Sequence, residues 1–291
     1  MTDSVMPYLI LVSVIWGFSF VIIKGTLVSL DANFVSFIRL LLSFIVFLPF
    51  LRPAGTKWPE RLQLLCIGAI QFGFMYVAYV AAFQYLPAHI IALMTTTTPL
   101  FVTIVHDILE KRVHGTFFIA ALLAVAGGAV LELPRQSLTA SLHGIALLQL
   151  SNAAFAFGQV AYKRWMAARP ACSDLRIFGF MYFGAVLVAG ALSLVTTNYR
   201  ALRLGSNQAL ALLYLGVIAS GICFFLWNVG ARKVHEGTLA VMNNLKIPVA
   251  VIASLLILRE TTDYWRLLVG CGLFGAALWI NGRGGRAPGS I

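Results

Sequence analysis

Residues 92–102 read ALMTTTTPLFV, four threonines and a proline inside a segment that is otherwise apolar. Pro99 removes the N–H that would bond the Thr95 carbonyl, and threonine hydroxyls can return hydrogen bonds to the backbone one turn earlier. A proline-interrupted helix repaired by its own hydroxyls suits a lipid solvent, where every backbone group must be satisfied internally. Successive helical residues rotate by about 100°. At most two of the four hydroxyls, those of Thr95 and Thr98, therefore reach a shared cavity, and the others serve the backbone.

The rest of the chain has the same solvent. Of its 291 residues 60% are hydrophobic and 11% charged, with a mean hydropathy of +0.90, whereas soluble domains carry about a quarter charged residues. A bilayer core is crossed by about 20 apolar helical residues. Runs of that kind occupy 6–28, 32–51, 62–85, 88–107, 115–132, 143–165, 175–196, 207–231, 236–258 and 263–281, predicting an all-α integral membrane protein of ten transmembrane helices. The ten-residue alternation of a membrane β-barrel is missing from these runs. Residues 1–291 thus read as a single transmembrane domain, with the polar, Gly-rich 282–291 as a disordered tail. The first run has neither a basic flank nor a cleavage site and reads as a retained span. Counting Lys and Arg in alternate connections puts thirteen on one side and six on the other, which predicts cytoplasmic N- and C-termini.

Composition also narrows function. The net charge of +11 is spread singly between apolar runs, with no stripe for nucleic acid. Cys66, Cys172, Cys223 and Cys271 have no metal-binding spacing and read as free thiols. There is no HExxH, no GxSxG and no His/Cys/Asp cluster, so no catalytic residue, metal or cofactor is expected, and the chain does not read as an enzyme. Its expected partners are lipid and a small molecule.

The chain repeats itself. SVIWGFSFVIIK from Ser13 lies on NAAFAFGQVAYK from Asn152 at an offset of 139, and LLCIGAIQFG from Leu64 on LLYLGVIASG from Leu212 at an offset of 148. The opening stretch has its own counterpart, ALMTTTTP at 92–99 against AVMNNLKIP at 240–248, with one residue inserted before Pro248. The chain therefore reads as two five-helix repeats, about 6–132 and about 143–281. Five is odd, so the second copy crosses the membrane in the opposite sense. Inverted repeats of this kind favour an alternating-access transporter with a central cavity between the halves.

These residues resemble a family. The ten spans in five-plus-five order, WGFSFVIIK in the first, FIRLLLSF with Arg39 in the second, and the helices that end in Glu110 and Glu260 resemble the drug/metabolite transporter superfamily. More narrowly they are similar to its EamA-type members, in the branch of bacterial exporters of aromatic amino acids and paraquat. The resemblance implies a multi-pass protein of the bacterial inner membrane with a cavity lined by helices 1, 3, 4, 6, 8 and 9. It also implies amino-acid export, with another metabolite or an organic cation as the alternative substrate, and a channel as the less favoured mode.

Polar groups in mid-span mark the cavity. Trp16 and Phe20 share a face of the first helix with Ser13, and Asn152 and Gln159 share the matching face of the sixth. Gln71 and Tyr79 stand on a stripe of i+4 steps in the third helix, and the offset of 148 carries Tyr79 to Trp227, beside Asn228. Asn243 and Lys246 precede Pro248 in the ninth. Lys246 is the sharpest signal, an ammonium near mid-bilayer that could meet a substrate carboxylate or helix-end carbonyls. Arg39 reads as structural, snorkelling or pinning carbonyls. An amino acid would find there one cation for its carboxylate and amides and hydroxyls for its ammonium.

Overall fold

A computed structural model of the chain describes residues 6–53, 55–110, 138–233, 236–259 and 264–284, with isolated positions 123 and 126. Nine long helices run through these residues. α1 spans Met6–Ile22 and continues as a π-helical turn, Ile23–Leu27. α2 spans Ala32–Phe47. α3 joins Trp58–Gly68, a π-helical segment Ala69–Phe74, and Met75–Ala82. α4 joins Ala88–Met94, a 3₁₀ turn Thr95–Thr97, and Thr98–Glu110. α5 is Leu138–Ala167 and α6 is Asp174–Thr196. α7 joins Ser206–Tyr214, a π-helical segment Leu215–Ile222, and Cys223–Ala231. α8 is Glu236–Ile257 and α9 is Tyr264–Gly284. Seven stretches, in α1 through α7, are long and apolar enough to cross a membrane, counted among the described residues. The expected span at 115–132, Glu260 and residues 285–291 lie outside the described residues.

The threonine run does what its chemistry demands. The hydroxyls of Thr95, Thr96 and Thr97 donate to the carbonyls of Ala92, Leu93 and Met94 at 2.7, 2.7 and 3.0 Å, tightening the backbone into the 3₁₀ turn just before Pro99. α3 begins at Trp58, earlier than its apolar run, because Pro59 sits in the first turn and the Glu60 carboxylate accepts the Lys57 backbone N–H at 2.8 Å.

α1 packs on α8, and α4 on α5; α3 packs on α6, and α2 on α7; α1 meets α7, and α3 meets α5. α2 also crosses α6, and α4 crosses α8. α3 crosses α6 closely, where small residues let backbones touch. A Cβ built on Gly68 would collide with the Met181 backbone, and one on Gly184 with the Leu65 carbonyl. Lys24 ties the end of α1 to the end of α3, its ammonium donating to the Phe83 and Leu86 carbonyls at 2.8 and 3.2 Å. Leu11, Phe74, Leu187, Leu194 and Leu210 face outward as lipid-side residues.

Gly184→Ala and Gly68→Ala are expected to cost about 1–3 kcal/mol each, because backbone cannot rotate out of the way as a side chain can. Gly272→Ala, where an added Cβ meets nothing within 4 Å among the described residues, is expected to be neutral. Thermal unfolding of the three purified variants in one detergent checks the contrast.

Candidate functional site

Between the packed helices lies a cavity of roughly 560 Å³, mouth included, lined by α1, α2, α3, α4, α5, α7 and α8. Its walls are mainly aromatic. Trp16, Phe20, Tyr79, Phe155 and Phe224 line it, with Trp16 centred 4.8 Å from Phe224 and 6.4 Å from Phe155, and Phe20 edge-on to Tyr79 at 6.0 Å. Trp16 is fixed by its indole N–H, which donates to the Ala219 carbonyl at 2.9 Å. Such ring pairs add about 0.5–1.5 kcal/mol each beyond area burial and keep the walls from collapsing into the space.

Polar groups enter at defined places. Ser19, Thr95, Thr98, Ser151 and Asn152 line the cavity. Asn152 joins α5 to the break in α4: its amide donates to the Met94 carbonyl at 3.1 Å and to the Thr97 hydroxyl at 2.8 Å, and it accepts from Thr98 at 3.3 Å. The Lys246 ammonium lies 5.4 Å from the centre of the Trp16 ring, a cation–π contact. Arg39 is 2% exposed and reaches the same cavity from α2. No Asp or Glu is found among the described residues that line it.

Seven residues singled out from the sequence thus meet here: Trp16, Phe20, Tyr79, Thr95, Thr98, Asn152 and Lys246. Gln71, Gln159, Trp227 and Asn228 are buried outside the lining. Gln71 donates instead to the Asn228 side-chain oxygen at 3.0 Å, Asn228 donates to the Phe224 carbonyl at 2.9 Å, and the Trp227 ring packs behind Trp16, tilted, at 5.0 Å. The side chain of Asn243 lies outside the described residues.

The π-helical segments bear on Gln71, Trp227 and Asn228, and not on Gln159, which lies on the regular α5. Each packs more residues per turn than an α-helix, and across 69–74 the i+4 stripe breaks: its Met75 and Tyr79 face the cavity, joined by Tyr76, and its Gln71 does not. In α7 the segment 215–222 likewise brings Phe224 inward in place of Trp227. The six spans implied by the family resemblance, which are α1, α3, α4, α5, α7 and α8 here, all contribute, and α2 adds Arg39. Its signal was visible as a mid-span guanidinium, which in a membrane is a functional group by default.

Asn152→Leu strips the amide from the Met94 carbonyl and from Thr97. It is expected to destabilise the protein by about 1–3 kcal/mol, the cost of leaving buried polar groups unmet, read as a lower unfolding midpoint in detergent.

Comparison with known proteins gives a consistent picture. A model of the EamA-like transporter family matches residues 4–132 and again 142–282. A probable biotin transporter of Pseudomonas aeruginosa is 38% identical, over 97% of this chain and 99% of the relative. A biotin transporter of Salmonella typhimurium is 35% identical, over 95% and 92%. A probable amino-acid metabolite efflux pump of Escherichia coli is 24% identical, over 94% and 92%. A solved crystal structure superposes with a TM-score of 0.69 at 15% identity, covering 98% of this chain and 99% of the other, a likeness of fold.

Proposed function

The chain belongs to the EamA-like transporter family within the drug/metabolite transporters, and from that premise we propose that it carries small carboxylates with apolar bodies, biotin first among them, by alternating access. It is a multi-pass transporter of the bacterial inner membrane and not an enzyme. The observation that carries the substrate reading is the cavity's charge. Arg39 and Lys246 both line it, no Asp or Glu joins them among the described residues, and the remaining wall combines aromatic rings with hydroxyls, one amide and Met75. Such a lining suits an anion with a ring body and opposes a free ammonium. Biotin fits this chemistry, with a carboxylate on an alkyl chain and a fused ring whose urea can use Asn152 and the nearby hydroxyls. Relatives of at least 35% identity are named as transporters of biotin.

Amino-acid export is the second reading. It draws on the 24% identical efflux pump and on the oxygens of Thr95, Thr98, Ser151 and Asn152, which could take an ammonium.

For the mechanism we propose ten spans in two inverted repeats, about 6–132 and 143–281, with both termini cytoplasmic. Two family matches in tandem support the duplication. So does the packing: exchanging α1 with α5, α2 with α6, α3 with α7 and α4 with α8 turns every helix pairing given above into another of them or into itself. At the offset of 148 the π-helical segment 69–74 falls within 215–222 and ends at the same place. Lining residues pair in the same way, Trp16 with Phe155, Tyr76 with Phe224 and Thr98 with Lys246. Rocking one half against the other around such a site opens it to each side in turn.

Proteoliposomes holding the purified protein are expected to take up labelled biotin, to speed up when unlabelled biotin is placed on the far side, and to be indifferent to the twenty amino acids as competitors. Lys246→Met is expected to lower uptake roughly tenfold, about 1.4 kcal/mol. Exchange of an amino acid without any movement of biotin would favour the second reading, and flux without trans-acceleration would mean a channel.

A further inference from the structure

Arg39 is among the largest fully buried side chains of the protein, and its hydrogen bonds leave a remainder. A guanidinium has five N–H donors and no acceptor. Nε donates to the Ser220 hydroxyl at 3.3 Å, and Nη2 donates to the Ser220 hydroxyl at 3.1 Å and to the Tyr76 hydroxyl at 3.0 Å. Those three bonds use the single hydrogen on Nε and both on Nη2. Both hydrogens of Nη1 remain, and Nη1 is buried with no partner among the described residues. Among the described residues Arg39 touches two hydroxyls and the Tyr76 ring, 4.7 Å from its centre, with no carboxylate in contact.

The hydroxyls carry the count further. The Ser220 oxygen has two acceptor positions, and Arg39 fills both. Its own hydrogen must then go to the Tyr76 oxygen, 2.8 Å away. Tyr76 therefore accepts from Arg39 and from Ser220, and its phenolic hydrogen is left over. The cluster is rigid, because Tyr182 donates to the Ser220 and Gly221 carbonyls at 2.6 and 2.9 Å and so holds the π-helical segment that presents Ser220. Arg39 and Tyr76 both line the cavity.

We propose that Arg39 Nη1 and the Tyr76 hydroxyl form the seat for the substrate's carboxylate, while Lys246, at the Trp16 ring, meets a polar group elsewhere on the substrate. The proposal rests on the carboxylate-carrier reading above and assigns the anion to one cation of the two. A buried cation with no counter-ion is costly in hydrocarbon, and an arriving carboxylate supplies both the charge and the acceptors for the leftover donors. The guanidinium, held along its Nε and Nη2 edge, loses little freedom on binding.

The test compares biotin with biotinamide, and a simple aromatic acid such as phenylacetate with its amide, as ligands of the purified full chain. Each pair differs only in the carboxylate. Wild type is expected to prefer each acid by roughly tenfold or more, in line with hydrogen bonds to a charged group. Arg39→Met, Arg39→Lys and Tyr76→Phe are expected to shrink that preference while amide binding persists. Lys246→Met is expected to weaken acid and amide alike and to keep the ratio. A merely structural role would lower the yield of folded protein without changing the ratio, and Tyr76→Phe keeps the ring should Arg39→Met fail to fold. Arg39 and Tyr76 variants that retain the wild-type preference overturn the seat alone. A wild type that prefers neither acid over its amide overturns the carboxylate reading and the seat with it.

Discussion

Hydrocarbon offers no hydrogen bonds, so the bundle has to satisfy every buried polar group from within itself. That constraint falls hardest on Arg39 and Lys246, two cations set among aromatic rings. Much of the middle of the protein follows from accommodating them and the broken backbone nearby. Ser220 is offered to Arg39 from a π-helical segment, the hydroxyls of 95–97 turn back on α4, and Asn152 closes the gap between α4 and α5. Where these groups meet, the helices cannot fill the space with apolar side chains, and a cavity remains.

The two halves share a scaffold and differ in chemistry. On the inverted-repeat reading, a hydroxyl at Thr98 stands where the other half has the ammonium of Lys246, and a phenol at Tyr76 where the other has the ring of Phe224. A symmetric frame can present two alternative packings of nearly equal energy, as alternating access needs. An asymmetric lining gives the substrate one orientation within it. Under the proposed mechanism, duplication would account for motion, and divergence of a few lining residues for selectivity.

Much of this was legible in the chain, for reasons that also mark where legibility ends. Continuous apolar runs located α1 through α4 and α5 through α9 to within a few residues, because lipid penalises any break. ALMTTTTPLFV announced its own repair, since Pro99 and the threonines act within one turn. Trp16, Phe20 and Asn152 lie where α1 and α5 are regular and i+3 and i+4 spacing holds, yet Gln159, on the same regular α5, is buried outside the lining. Gln71, Trp227 and Asn228 could not be placed, because π-helical segments rotate the faces of α3 and α7 and no local residue pattern declares them. Arg39 was visible, yet its place in the cavity depends on Tyr76 and on Ser220 of a helix about 180 residues away, a contact that one-dimensional spacing does not carry.

The central claim is that one cavity between the halves is reached in turn from each side of the membrane. A single cysteine at Ser19, a small cavity-lining residue of α1, tests it most directly in a background where Cys66, Cys172, Cys223 and Cys271 are replaced. With a membrane-impermeant thiol reagent applied to one face at a time, the account predicts labelling from both faces and protection from both by the transported carboxylate. Labelling from one face only, unchanged by substrate, would contradict it.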